Sequence, residues 1–343
     1  MSLVEPEPLI SFLTTAYRTE SYVDEAIESV IAQTRHDWEL IVVDNGNSDE
    51  LAGIVDRYTD DQRITLLRQP NRGYSGGVSA AAGAARGRYF CVLDSDDTVY
   101  PDFLERMGSV IEAHADVDAV GCDAELFRDP DDLQGPEGYL DSIGRRHPPD
   151  PTRPLSLAEL LTEGVPYYSG AIRREVWTAL GGYDCELTGV EPDVVLWLRI
   201  VDAGRDVRLL PDRLARCRVR TDSSSHDPGN VEDFEQRLQR SFLVVGEESG
   251  NRTISAAPDG MLRRLRYAQS LRRARVALLL GDVATARGAT RDALRQRRTV
   301  RAAVVLTGLR LFPGVLRRVH PTKKRVSAMV NRFRYRLATG LRG

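Results

Sequence analysis

The sequence predicts an α/β fold, a mainly parallel sheet with helices on both faces, continued by a C-terminal helical appendage. Three observations predict it. Short apolar runs alternate with helix-spaced segments over the first 128 residues, and strands separated by helices pair in parallel. Two of those runs end directly in an acid, Asp44 and Asp94, and open α/β sheets bind ligands beyond the carboxyl ends of their strands. From residue 229 onward the apolar spacing is helical.

Residues 9–15 form a continuous apolar run, read as a buried strand. Ser21 follows as an N-cap with Asp24 three residues on, and Val23, Ala26, Ile27, Val30 and Ile31 recur at helical spacing. ELIVVD at 39–44 is a second buried strand closed by the polar turn 45–49, and 64–67 is a third. Residues 76–85, rich in Ala and Gly, fit a helix packed closely on the sheet. RYFCVL at 88–93 is a fourth strand and runs straight into Asp94-Ser95-Asp96-Asp97. A helix over 101–114 has Pro101 near its start, where the missing N–H costs nothing. Residues 118–127 are a further strand, and 129–154, rich in Pro, Asp and Gly, read as an exposed loop. Beyond lie a helix at 157–162, a strand at 169–173, a helix at 192–203 and a polar stretch at 223–229. Segments 262–280 and 283–294, joined by Gly281-Asp282, predict an antiparallel helical hairpin.

At 343 residues, 42% hydrophobic and 28% charged, the chain is globular rather than disordered or fibrous. The domains expected are a catalytic domain over 1–228, with halves at about 1–128 and 155–228, and a helical region over 229–343. The first eight residues lack a basic segment followed by an apolar core, which argues against a signal peptide. The longest apolar runs, 302–306 and 276–280, fall far short of the roughly 18 residues of a spanning helix. Four scattered cysteines with no CxxC pair fit a reducing compartment. The net charge of −3 hides an asymmetry: residues 290–343 hold fifteen Arg or Lys and one acid, so +14, leaving −17 on the rest.

Asp94, Asp96 and Asp97 crowd three carboxylates into four residues. Crowded carboxylates repel unless a cation neutralises them. A hard ion such as Mg²⁺ or Mn²⁺ takes carboxylate oxygens and keeps places for phosphate oxygens. It would offset charge developing on a departing diphosphate. A solvated acidic turn is the alternative.

Residues 9–107 resemble the family 2 glycosyltransferases, which have the GT-A (Rossmann-like) fold. LISFLTTAYRTESYVDEAIESVIAQT and WELIVVDNGNSDE look like the family's opening strand, helix and second strand. Asn71, Gly73, Gly77, Ala81, Ala85 and Gly87 fall at the family's spacing before RYFCVLDSDD, and GGYDCELTGVEPDVVLWLR at 181–199 resembles the block carrying the base. The blocks cover most of residues 9–226 in family order. The resemblance implies that Thr15 lines the nucleotide pocket and Asp44 hydrogen-bonds the base or ribose. It puts Asn71, Gly73, Asp94 and Ser95 at the donor, with Asp94 on the ribose or a metal-bound water. Asp96 would bind the Mg²⁺ or Mn²⁺ gripping the diphosphate, and His226 stands where some relatives supply a further metal or phosphate ligand, or is a plain loop residue. Counting back from Arg199, Asp193 matches the catalytic base of an inverting transfer, with Glu191 as the alternative because Pro192 occupies the family's usual Glu. Departures at Thr14–Tyr17, Asn45, Asn47, Val78 and Ser79 bear on nucleotide preference. Tyr167, Tyr168, Trp177 and Trp197 are read as core rather than as sugar platforms.

The expected function is single-sugar transfer from a nucleotide diphosphate sugar to an acceptor hydroxyl, on a lipid-linked saccharide or a cell-envelope polysaccharide precursor. The alternatives are a catalytically degenerate binding or scaffold protein and a transferase acting on a small-molecule natural product. A nucleotidyltransferase should show a glycine-rich basic loop after the first strand, and residues 14–20 show none. A processive synthase should carry spanning helices and Gln-x-x-Arg-Trp, which are absent from the sequence. Residues 297–342 mix Arg/Lys clusters with apolar residues, suited to lying on an anionic membrane surface. They suit equally a helical appendage packed on protein; no nucleic-acid motif is present. A cytoplasmic protein, peripheral on the inner face of the membrane, is expected, and a homo-oligomer is compatible with the sequence.

Overall fold

The computed structural model describes residues 7–127, 137–220 and 231–318. Its first half is the predicted alternation: β1 (Ile10–Ala16), α1 (Val23–Ile31), β2 (Trp38–Asp44), α2 (Asp49–Asp56), β3 (Ile64–Arg68), α3 (Gly73–Ala84) and β4 (Tyr89–Val92). Strands β3, β2, β1 and β4 lie side by side and parallel. Every residue of β1 and β2 is buried, which is why both read as unbroken apolar runs without alternation. Two of the polar residues inside them satisfy each other: Ser11 Oγ donates to Glu39 Oε1 at 2.6 Å, and Gly87 N–H donates to Ser11 Oγ at 2.8 Å. Ser21 does not cap α1; Tyr22 holds the N-cap position and makes no side-chain cap bond. The helix N-cap in this region is Ser48, whose Oγ accepts from Leu51 N–H at the start of α2, a helix the apolar spacing did not predict.

The sheet as a whole is mixed, and here the structure corrects the expectation of a mainly parallel one. After β4 come β5 (Thr98–Val99), α4 (Phe103–Ala113), β6 (Ala119–Phe127), β7 (Glu137–Gly138), α5 (Tyr139–Ser142), α6 (Leu157–Glu163), β8 (Ala171–Arg173), α7 (Arg174–Ala179), α8 (Pro192–Asp202) and β9 (Val207–Arg218). The order is β3-β2-β1-β4-β8-β6-β9-β5, with β7 on β6. Helix α4 does return the chain so that β6 runs in the direction of β4. The three-residue β8, arriving later in sequence, slots between them antiparallel to both. β5 and β7 are likewise antiparallel additions, to β9 and β6. Alternation of elements fixes the direction of crossover-linked strands only. A strand is expected at 169–173, and β8 lies there, but its antiparallel pairing is not legible, and β5 and β7 are not expected. The stretch 129–154, expected as an exposed loop, contains β7 and α5 in its described part.

Then follow α9 (Val231–Glu248), α10 (Arg252–Ala256), α11 (Pro258–Leu280), α12 (Val283–Gln296) and α13 (Val300–Leu311). Two compact units divide the chain, residues 1–262 and 263–343. In the second, α11 and α12 are joined at Gly281, whose φ of +91° suits glycine alone, and Asp282 caps α12 by accepting from Thr285 N–H at 2.9 Å. Arg273 meets Asp292 across the hairpin at 2.8 Å, as the antiparallel arrangement requires. Among the described residues no helix is long and apolar enough to cross a membrane.

Candidate functional site

The carboxyl ends of β1, β2 and β4 bring the predicted residues to one edge of the first unit. Thr15 is buried in the last turn of β1, and its Oγ1 has no hydrogen-bond partner. Helix α3 crosses it so closely that a Cβ at Gly77 would lie 1.9 Å from Thr15 Oγ1; only glycine fits there. Asp44 ends β2 and is buried; Oδ1 accepts from Ser48 N–H and Oδ2 from Arg68 Nε, both at 3.0 Å.

The next residue, Asn45, ties down the segment before α3. Its Nδ2 donates to Gly73 O at 2.8 Å, and its Oδ1 accepts from Gln69 Nε2 at 2.8 Å and Arg72 N–H at 3.1 Å. Asn71 Oδ1 accepts from Gly73 N–H at 2.8 Å, and Gly73 opens the helix at φ +72°. Asn71 and Gly73 thus build the turn that aims α3 and Tyr74 at the cleft.

The acidic tetrad divides by direction. Asp97 points inward: its Oδ2 accepts from Tyr167 OH at 2.7 Å and Tyr168 OH at 2.6 Å, and its Oδ1 from Arg218 N–H at 2.7 Å. Ser95 is also buried, its hydroxyl 2.8 Å from that of Thr19. Asp94 and Asp96 are the two partly exposed members. Tyr74 OH donates to Asp94 Oδ1 at 2.7 Å, and Asp94 N–H donates to Tyr168 OH at 3.1 Å. Arg220 Nη1 donates to Asp96 Oδ2 at 3.2 Å, while Arg218 Nε donates to the Asp96 carbonyl at 3.0 Å. Burial, then the charges of Asp97 and Asp96, push the Asp94 carboxyl well above the usual range. Burial and Asp96 push Asp97 up to about 6.

Helix α8 supplies the facing acids. Pro192 stands in its first turn, where a missing N–H is harmless, and fixes Glu191 at the N-cap with Asp193 one residue inside. Glu191 is engaged: its backbone N–H donates to Ser241 Oγ at 2.8 Å, and Arg237 Nε lies 2.7 Å from its carboxylate. Burial, then the charge of Asp193, push Glu191 up to about 7. Asp193 is pushed up to about 6 by burial, against the backbone N–H groups of the helix start, which favour its ionised form. The charge of Asp193 in turn raises Asp94, Tyr74 and Tyr183. Tyr74, which donates to Asp94, packs its ring 5.9 Å from that of Tyr183. His226 lies outside the described residues.

The donor set that could hold a metal is Asp94 and Asp96. Among the described residues no three His, Cys, Asp or Glu side chains converge on one point. Mg²⁺ and Mn²⁺ do not need a third protein ligand, because they take one or two carboxylates and complete their shell with phosphate and water oxygens. Two crowded carboxylates, one of them already answered by a guanidinium, fit such a shared ion. Sequence reasoning missed Tyr74, Asp97's inward role, Tyr168, Arg218 and Arg220. Reading 207–218 as a strand would have put Arg216 and Arg218 on one face, with Arg220 following two residues on. Tyr167, Trp177 and Trp197 are core as expected, Trp197 packing on Gly170; Tyr168 is part of the tetrad's support.

A parallel half, β3-β2-β1-β4, continued by a mixed half defines an α/β domain of the GT-A kind. Residues 11–175 match the Glycosyl transferase family 2 model, and this part of the chain belongs to that family. The succinoglycan biosynthesis protein ExoO of Rhizobium meliloti is 39% identical over 104 residues, 30% of this chain and 30% of that one. The chain covers between 29% and 38% of the first four curated relatives it matches. Among solved structures, S. aureus TarS 1–349 in complex with UDP-GlcNAc aligns with a TM-score of 0.55 at 15% identity, covering 93% of this chain and 92% of that one. The mannosyltransferase PcManGT from Pyrobaculum calidifontis, in complex with GDP-Man and Mn²⁺, aligns with a TM-score of 0.54 at 18% identity, covering 93% and 84%. At those identities the likeness is one of fold.

Proposed function

We propose that the protein is a metal-dependent, inverting glycosyltransferase that moves one sugar from a nucleotide diphosphate sugar to an acceptor hydroxyl. The observation that carries this reading is the pair of partly exposed carboxylates, Asp94 and Asp96, at the end of β4, suited to a diphosphate-bound cation; Asp193, in the first turn of α8, is taken as the base. The catalytic domain spans 1–228, with the nucleotide-sugar half at about 1–128 and the acceptor half at about 155–228. Thr15, Asp44, Asn71, Gly73 and Ser95 shape the donor pocket, directly or through the turn they build.

Asp193 removes the acceptor's hydroxyl proton. The oxygen forms its bond to the anomeric carbon as the bond to the diphosphate breaks on the opposite side, and the diphosphate leaves with the electron pair. A divalent cation on Asp94 and Asp96 would offset that departing charge. Glu191, paired with Arg237, is left with the task of setting the start of α8. Two fold relatives were crystallised with UDP-GlcNAc and with GDP-Man and Mn²⁺, which supports a donor of this class. ExoO's role in succinoglycan biosynthesis supports a polysaccharide precursor as acceptor; a lipid-linked form of it, met at the inner face of the membrane, is the reading the basic C-terminal sequence suggests.

The test is release of nucleoside diphosphate from UDP-, dTDP- and GDP-sugars with Mn²⁺. One donor is expected to be hydrolysed slowly by the wild type and not by Asp193→Asn; equal release by the two proteins would remove Asp193 as the base.

A further inference from the structure

Half of the large apolar side chains exposed among the described residues fall within sixteen positions of the second unit. Val300 is 82% exposed, Val304 64%, Leu311 63%, Phe312 62% and Val315 57%. On α13, positions 300, 304 and 311 fall within about 40° of one another at 100° per residue. The opposite face carries Ala302, Leu306 and Leu309, which are buried, Leu309 in the cluster with Ala277, Leu278 and Ala286. This helix is therefore apolar on two faces and buries only one. A helix apolar all round is ordinarily covered on both sides.

Charge decides what covers the second face. Residues 290–318 hold eight arginines and one acid, Asp292. Just before α13, Arg291, Arg295 and Arg298 line a shallow recess with Leu294. A second copy of this unit would bring the same excess of positive charge to the contact, and so would the chain's own residues 319–343, which carry seven further Arg or Lys and no acid. An anionic lipid surface offers what neither does: hydrocarbon for the valines and leucine, and phosphates for the arginines. Duplex nucleic acid would meet the charge but offers no apolar layer for an aliphatic face.

We infer that the exposed face of α13, with Phe312 and Val315 after it, is a docking surface for an anionic lipid bilayer. This gives the membrane part of the proposed function a specific surface, and it stands independently of the transferase reading.

The experiment is co-sedimentation of the full chain with phosphatidylcholine vesicles, with and without phosphatidylglycerol, for the wild type and Val304→Ser/Leu311→Ser. Both positions are exposed, so the melting temperature and donor hydrolysis should be unchanged. The wild type is expected to bind only the anionic vesicles, and the double variant to bind them about tenfold or more weakly, as loss of two inserted aliphatic side chains requires. Equal binding by the two proteins would overturn the inference. So would a concentration-dependent dimer that the double variant abolishes, or duplex DNA binding tighter than vesicle binding and equal in both proteins. If donor hydrolysis fails while vesicle binding follows this pattern, only the transferase reading falls.

Discussion

Asp96 and Arg220 are joined by a hydrogen-bonded ion pair of 3.2 Å, both side chains about a fifth to a quarter exposed. The tetrad's outer carboxylate is thus held by one of the protein's own cations, two residues past the end of β9, whose last residue also secures Asp97 through its backbone N–H. A divalent ion arriving at Asp96 must compete with that guanidinium. A partly exposed pair of this kind contributes about 0.5–1 kcal/mol. Arg220→Gln is therefore expected to raise the affinity of the chain alone for Mn²⁺ roughly two- to fivefold, measured by calorimetric titration. Unchanged Mn²⁺ affinity would show that the pair does not govern Asp96.

Asp193 is raised from 3.8 to about 6 by burial. A base must be ionised to take a proton, so kcat/KM is expected to climb with pH through about 6 and level off above it. Asp193→Asn should lower kcat by about 10²–10⁴-fold and remove that limb, while Glu191→Gln, at a residue already paired with Arg237, should cost far less. The sign for stability is opposite to that for activity. The folded chain holds this proton to higher pH than the unfolded chain does, so ionisation opposes folding above about 6 and has no effect below about 4. Asp193→Asn should accordingly melt higher than wild type at alkaline pH, with no difference in acid.

Asp97 accepts three hydrogen bonds in a buried place. Asp97→Ala strands two tyrosine hydroxyls and a backbone N–H, at a cost of about 3 kcal/mol or more. For a domain of this size that is a fall in Tm of roughly 10 °C, read by differential scanning calorimetry. Asp97→Asn keeps an acceptor and should lose about a third of that. A Tm equal to wild type in Asp97→Ala would mean that the tyrosines find other partners.

The parallel half was legible because its signal is local. Ile10–Ala16 and Trp38–Asp44 are buried on both faces, and such strands write themselves as largely apolar runs, the second closed by an acid. β8 is three residues long and joins β4 to β6, so its pairing depends on distant chain and has no local period. The site shows the same division. Asp94, Asp96 and Asp193 stand out as acids beside apolar segments. Arg220 and Tyr168 reach the tetrad from more than 70 positions away, and sequence spacing carries no trace of that. Asp97 looked like its neighbours; only burial and three donors distinguish it from Asp96.

A cation-dependent nucleotide-sugar site at Asp94 and Asp96 is open to direct test by thermal shift. Wild type and Asp96→Ala would be melted with UDP-, dTDP- and GDP-sugars, each with and without Mn²⁺. Saturating donor at about 100 times its dissociation constant adds roughly 2.7 kcal/mol. A rise in Tm is expected with one nucleotide class, dependent on Mn²⁺ and lost in Asp96→Ala. A rise of equal size in the variant, or one indifferent to Mn²⁺, would contradict it.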